Sequence, residues 1–104
     1  MDRKYILQYI KKSVRKVSPG AKIILYGSEA RGESRPDSDI DVLILAVTED
    51  LTYNDRTAIT DSIYDIELKT GVIISPLVYT QKQWENRPFK TPFYINIMNE
   101  GIRL

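Results

Sequence analysis

Along the first twenty residues the apolar positions Ile6, Ile10, Val14 and Val17 fall four, four and three apart, the spacing that lines one face of a helix. Asp2 stands ahead of this run as an N-cap and Pro19-Gly20 closes it, so a helix is predicted to about Val17. The pattern then changes. Ala21 to Gly27, AKIILYG, is short, apolar and stopped by glycine, and predicts a buried strand. Ser28 to Ser38 is polar and contains Gly32 and Pro36, which predicts a loop with one helical turn after Ser28. DIDVLILAV, from Asp39, is a second strand; its tail is apolar on both faces, which places it in the middle of a sheet. Ile59, Ile63 and Ile66 form the stripe of a helix from about Asn54 to Lys69, with Gly71 suited to a left-handed C-terminal cap. VIISPLVYT is a third strand in which Pro76 cannot donate to a ladder and so belongs at an edge or a bulge. QKQWEN predicts a short helix, and Thr91 caps a last one with Pro92 at its first position and Gly101 beyond its end.

This order of elements specifies an α/β fold, a small mixed sheet flanked by helices. The first two strands are expected to be neighbours, and the long helical crossover makes the second and third parallel. At 104 residues the whole chain, 1–104, is expected to form one domain.

Composition narrows the chemistry more than the fold. There is no cysteine and no histidine. That excludes disulfides, thiolate nucleophiles and cysteine-bound zinc, and removes the commonest general base. Any metal here is hard and oxygen-bound. Arg3, Lys4, Lys11, Lys12, Arg15 and Lys16 crowd the first helix against Asp2 alone. Such a face can bind a polyanion, nucleic acid included; a solvated helix face is the plainer reading and the one favoured. With no apolar run approaching the roughly 20 residues of a membrane span, and no secretory leader in the amphipathic N-terminus, a soluble cytoplasmic protein is expected.

The stretch GSEARGESRPDSDID, Gly27 to Asp41, carries the candidate chemistry. Asp39 and Asp41 are two apart on a strand, so both side chains point to one face. Held roughly 7 Å apart at the backbone, they can converge on one divalent ion or share two. Unpaired, they would repel one another and resist ionisation on a buried strand. Gly27 lets backbone approach a phosphate, Ser28 offers a hydroxyl and an N–H, and Arg31 lies one turn later with a fork of donors. Phosphates at Ser28 facing metals at Asp39 and Asp41 is what phosphoryl or nucleotidyl transfer needs.

Gly27-Ser28, Ala30-Arg31-Gly32 and Ser38-Asp39-Ile40-Asp41 together resemble the signature of the DNA polymerase β-like nucleotidyltransferase superfamily, and more closely its minimal bacterial and archaeal members. The resemblance implies a polymerase β-like palm fold, with Gly27 and Ser28 at the nucleotide's phosphates, Asp39 and Asp41 holding two Mg²⁺, and Arg31 supporting the triphosphate or the loop. It implies transfer of a nucleoside monophosphate, AMP from ATP, to an acceptor hydroxyl. It also implies a role like that of antitoxins whose partner is a helical HEPN-type ribonuclease, some of which are expected to add AMP to a tyrosine of that partner.

One position departs from the pattern. Active members carry a third carboxylate on the strand after the long helix, and that alignment puts Ser75 there. Serine is a poor metal ligand and no base at neutral pH. Asp37, Asp65 and Glu67 are the candidates to replace it. Three readings follow: an active transferase acting on a protein, a catalytically degenerate partner-binding module of the same fold, and a nucleic-acid binder using the first helix. A chain this short leaves little beyond the core, so the acceptor platform is expected from a partner or from a second copy in a homodimer. Trp84, Phe89, Phe93 and Tyr94 gather in the last third, where packing of the last helix is favoured over a protein-binding surface.

Overall fold

The computed structural model describes residues 2–87 and 90–104. Phe89, grouped above with the C-terminal aromatics, lies outside them. Helix α1 spans Arg3–Val17, with the Asp2 carboxylate accepting from the Lys4 N–H at 2.9 Å. Strand β1 is Lys22–Tyr26, α2 is the single turn Ser28–Arg31, and β2 is Ile40–Ala46. The crossover helix α3 is Tyr53–Thr70, opened by a reciprocal capping box between Thr52 and Asp55 and closed on left-handed Gly71. Strand β3 (Ile74–Thr80), the short helix α4 (Gln81–Glu85), α5 (Pro92–Glu100) and a two-residue strand β4 (Ile102–Arg103) complete the order.

The sheet runs β3-β2-β1-β4. β1 pairs antiparallel with β2 and with β4, and β2 pairs parallel with β3. The central place of β2, the adjacency of the first two strands and the parallel crossover all follow the apolar pattern. β4 does not: two residues are too few for any periodicity to show. It forms because the chain turns back at Gly101, where an added Cβ would stand 2.5 Å from the Ile97 carbonyl oxygen and 2.6 Å from Ile24 Cγ2. Glycine is there for room, since its φ of −60° is ordinary.

The two faces of the sheet are covered unequally. Ile6, Ile10 and Val14 of α1 and Ile59, Ile63 and Ile66 of α3 close over Ile23, Leu25, Val42, Ile44 and Val78 in one apolar layer. Each such side chain contributes roughly 1.5–3 kcal/mol by leaving water, so this layer dominates stability. Val17, expected in the stripe of α1, ends the helix exposed instead. The opposite face carries a smaller cluster of Leu43, Leu45, Trp84 and Ile97. Trp84 lies between Tyr79 and Tyr94, with ring centroids 5.7 and 4.8 Å away, and this packs α4 and α5 onto the sheet as expected. The second face can therefore leave polar groups at one end of its strands.

Pro76 sits on the edge strand. The Ile40 N–H donates to the Ile73 carbonyl at 2.9 Å, so alternation turns Ser75 and Leu77 toward β2 and Pro76 outward, where its missing N–H costs no ladder bond. Two residues on, the outward carbonyl of Val78 accepts from Arg56 Nη1 at 2.9 Å.

Candidate functional site

The polar end of the second face is one row across three strands. Tyr26, Asp41 and Ser75 are register partners on β1, β2 and β3, so their side chains share a face with Leu43 and Leu45. Asp39 precedes the first residue of β2 and is exposed rather than opening the strand. It remains near enough for its charge to act on its neighbour. The Asp41 carboxyl is pushed above the usual carboxylate range, first by burial and then by repulsion from Asp39, with Arg31 opposing both. Burial, Asp41 and Tyr79 in turn raise the Tyr26 hydroxyl.

Gly27 brings the turn against the acid. Its backbone, φ 71° and ψ −149°, lies in a region essentially reserved for glycine. A Cβ there would stand 2.7 Å from Asp41 Oδ2. Ser28 then opens α2, and within that turn the N–H groups of Ser28, Glu29 and Ala30 have no carbonyl four residues back to bond. Arg31 closes the turn and is held at 3.2 Å by Glu33 and at 3.5 Å by Glu100 of α5, contacts that hold its guanidinium protonated.

A cleft of about 240 Å³ is walled by Tyr26, Gly27, Arg31 and Asp41 on one side and by Phe93, Asn96, Ile97 and Glu100 of α5 on the other. It unites three of the residues expected from sequence. Ser28, Asp39 and Ser75 are not among its walls: Ser28 follows Gly27 into α2, Asp39 acts through its charge, and Ser75 flanks Asp41 across the ladder. Of the α5 walls only Phe93 stood out in the sequence, as one of the C-terminal aromatics; Asn96, Ile97 and Glu100 carried no signal, because what they face depends on how α5 folds over the row.

Arg3 was also missed. It belongs to the basic first segment, yet its side chain is only 19% exposed and reaches the site loop. Nε donates to Glu29 Oε1 at 2.8 Å, Nη2 to the Ser38 carbonyl at 2.9 Å and Nη1 to the Pro36 carbonyl at 3.3 Å. The Ser34 hydroxyl donates to the other Glu29 oxygen.

Among the described residues no three acidic side chains gather at one point. Asp65 and Glu67 are on α3, whose buried stripe packs on the face opposite Asp41, so neither replaces the acid missing at Ser75. Asp37 is exposed on the loop. The donor set still fits a hard divalent cation: two oxygen donors repel each other, one resists ionisation, and Arg31 only partly offsets them.

The sequence model of the nucleotidyltransferase domain matches residues 7–104. The chain belongs to that family. Two Methanocaldococcus jannaschii proteins named as candidate protein adenylyltransferases are similar to it. One is 35% identical over 80% of this chain and 77% of its own length, and the other 36% identical over 77% and 73%. Among solved structures, a minimal nucleotidyltransferase superposes with a TM-score of 0.65 at 22% identity, covering 100% of this chain and 97% of that one. A toxin–antitoxin structure with AMP-PNP superposes at 0.64 and 19% identity, covering 92% and 69%. Both share the nucleotidyltransferase fold, the mixed sheet with flanking helices seen here. Among the described residues no helix is long and apolar enough to cross a membrane.

Proposed function

We propose that the chain is a Mg²⁺-dependent, cytoplasmic nucleotidyltransferase that moves AMP from ATP to a hydroxyl of a partner protein, in the manner of an antitoxin. The observation that carries this reading is the contact of Gly27 with Asp41 in a cleft that Arg31 also walls. Phosphate turn, carboxylate and guanidinium open onto one hollow. The candidate protein adenylyltransferases support AMP and a protein acceptor, and the toxin–antitoxin structure supports a partner.

In this reading the β- and γ-phosphates rest on the backbone of Gly27 and Ser28, and Arg31 exchanges Glu100 for phosphate oxygen. Asp39 and Asp41 hold Mg²⁺, one ion or two. When bound, the metal neutralises the charge that develops on the phosphates. The acceptor oxygen bonds to the α-phosphorus, the bond from that phosphorus to the α–β bridging oxygen breaks, and pyrophosphate leaves. Ser75 supplies no carboxylate for the hydroxyl proton, so the proton passes to water or to a side chain of the acceptor protein. A HEPN-type partner or a second copy completes the acceptor side.

A second reading has its own support. The pairing of Asp41 with Ser75 rather than with an acid fits a module that binds its partner without chemistry. ATP labelled at the α-phosphate, with Mg²⁺ and a HEPN-type partner, separates the two. Label on the partner that disappears in Asp39→Asn and Asp41→Asn supports transfer. An unlabelled but inhibited partner supports binding alone. No label and no inhibition refute both.

A further inference from the structure

We propose that Arg3 is a positioning residue, a brace by which the first helix fixes the Gly-Ser turn and the acid-bearing loop relative to each other. The inference rests on the reading of Asp39 and Asp41 as the acids of the site. Asp41 is already tied to the turn by its pairing with Tyr26, but Asp39 lies outside the ladder and follows the loop Gly32 to Ser38. That loop has few internal ties: the Arg35 N–H meets Ser38 Oγ at 2.8 Å, the Ser38 N–H meets the Arg35 carbonyl at 3.0 Å, and the Glu33 N–H meets the Ser28 carbonyl at 2.9 Å.

Arg3 adds a tie from outside. One planar fork spans Glu29 in α2 and the carbonyls of Pro36 and Ser38, the last immediately before Asp39. Glu29 is 8% exposed, and its second oxygen is taken by Ser34 within the same loop. The three anchor points lie 26, 33 and 35 residues from Arg3 in sequence. Arg3 sits in the first turn of α1, beside the Asp2 cap, and Ile6 of the next turn is locked in the main apolar layer. The brace is therefore mounted one turn from a side chain fully buried in the main apolar layer. Lysine could restore its charge but not its three-point geometry.

The test is hydrogen–deuterium exchange of the full-length chain, read together with Mn²⁺ affinity by electron paramagnetic resonance. Arg3→Ala, Arg3→Lys and Glu29→Gln are compared with Lys69→Ala, which removes a remote contact to Tyr9. In Arg3→Ala and Arg3→Lys, exchange at 33–39 should speed up about tenfold or more, the scale of a lost charge-assisted bond. Amides of Val42 to Leu45 should be unchanged, and Mn²⁺ binding should weaken by at least about threefold on the same scale. Glu29→Gln keeps the shape of the pair and should give a smaller effect in the same segment; it serves if Arg3→Ala does not fold. Lys69→Ala should leave 33–39 as in the wild type. Exchange at 33–39 that is unchanged in both Arg3 variants, or accelerated equally across the sheet, overturns the brace. Wild-type protein that fails to bind Mn²⁺ overturns the metal reading instead, while the exchange contrast still decides on Arg3.

Discussion

Replacing Gly27 with alanine should injure the site far more than it injures the fold, and the structure supplies the size of each effect. The backbone at Gly27, φ 71° and ψ −149°, costs a residue with a Cβ roughly 1–3 kcal/mol. The new methyl would also meet Asp41 Oδ2 at 2.7 Å, so the carboxylate must swing away or the turn must lift. Gly32 is the natural control. Its φ is also 71°, with ψ 20°, and a Cβ there meets nothing within 4 Å. Gly32→Ala thus carries only left-handed strain, roughly 1–2 kcal/mol. For a domain of this size each kcal/mol lowers Tm by about 4–8 °C, so calorimetry should find both variants folded and melting early. Mn²⁺-ATP binding should separate them. Disturbing a group that orients a metal-binding carboxylate costs about 10–100-fold in metal affinity, a loss expected in Gly27→Ala and absent in Gly32→Ala. Equal binding by the two variants would refute the claim that the turn and Asp41 share one ligand.

Other expectations follow from neighbouring features. Ser75→Asp places a third oxygen donor in register with Asp41; Mn²⁺ affinity by isothermal titration should rise about tenfold, as for one added charged ligand, and unchanged affinity would mean the row does not face the metal. Asp41→Asn should raise Tm in metal-free buffer. Because the folded-state carboxyl is raised above its unfolded value, its stabilising contribution is present below the unfolded value and lost as pH climbs through the raised one. The gain from asparagine should therefore appear at pH 7 and shrink on acidification through the carboxylate range, as thermal melts across pH would show. Gly101→Ala should cost about 1–3 kcal/mol of stability by overpacking against Ile24 and the Ile97 carbonyl, read from urea denaturation; a neutral result would mean β4 and α5 are not docked as described. Arg31→Ala should weaken ATP binding while leaving metal binding in the absence of nucleotide nearly unchanged, a split that titration with each ligand alone resolves.

The parts of this molecule legible in its sequence are those that depend on period and punctuation. Ile6, Ile10 and Val14, or Ile59, Ile63 and Ile66, announce their helices because burial repeats with the turn. Ser75 was placed beside the acids by the family resemblance and not by any period in the chain; the register then sets it opposite Asp41. What stayed hidden depends on partners far apart in the chain. Arg3 was indistinguishable from Lys4 or Lys12 as a letter in a basic run, and only the fold brings Glu29 and the Ser38 carbonyl to it. Phe93, Asn96 and Glu100 became walls of the cleft through a turn at Gly101 and a strand too short to carry a pattern. Their positions were predicted; what they face was not.

The outer side of β3 has a consequence for how this protein can meet others. A free sheet edge normally invites another chain to continue it, one amide after the next. Here the invitation is withdrawn at two consecutive outward positions, once because proline has no hydrogen to give and once because Arg56 already occupies the Val78 oxygen. A visiting strand would lose two bonds in the middle of a seven-residue border, one to each of two neighbouring outward residues. Copies of this chain are thereby discouraged from stacking into fibres along that border, where side chains offer a companion more than the backbone does.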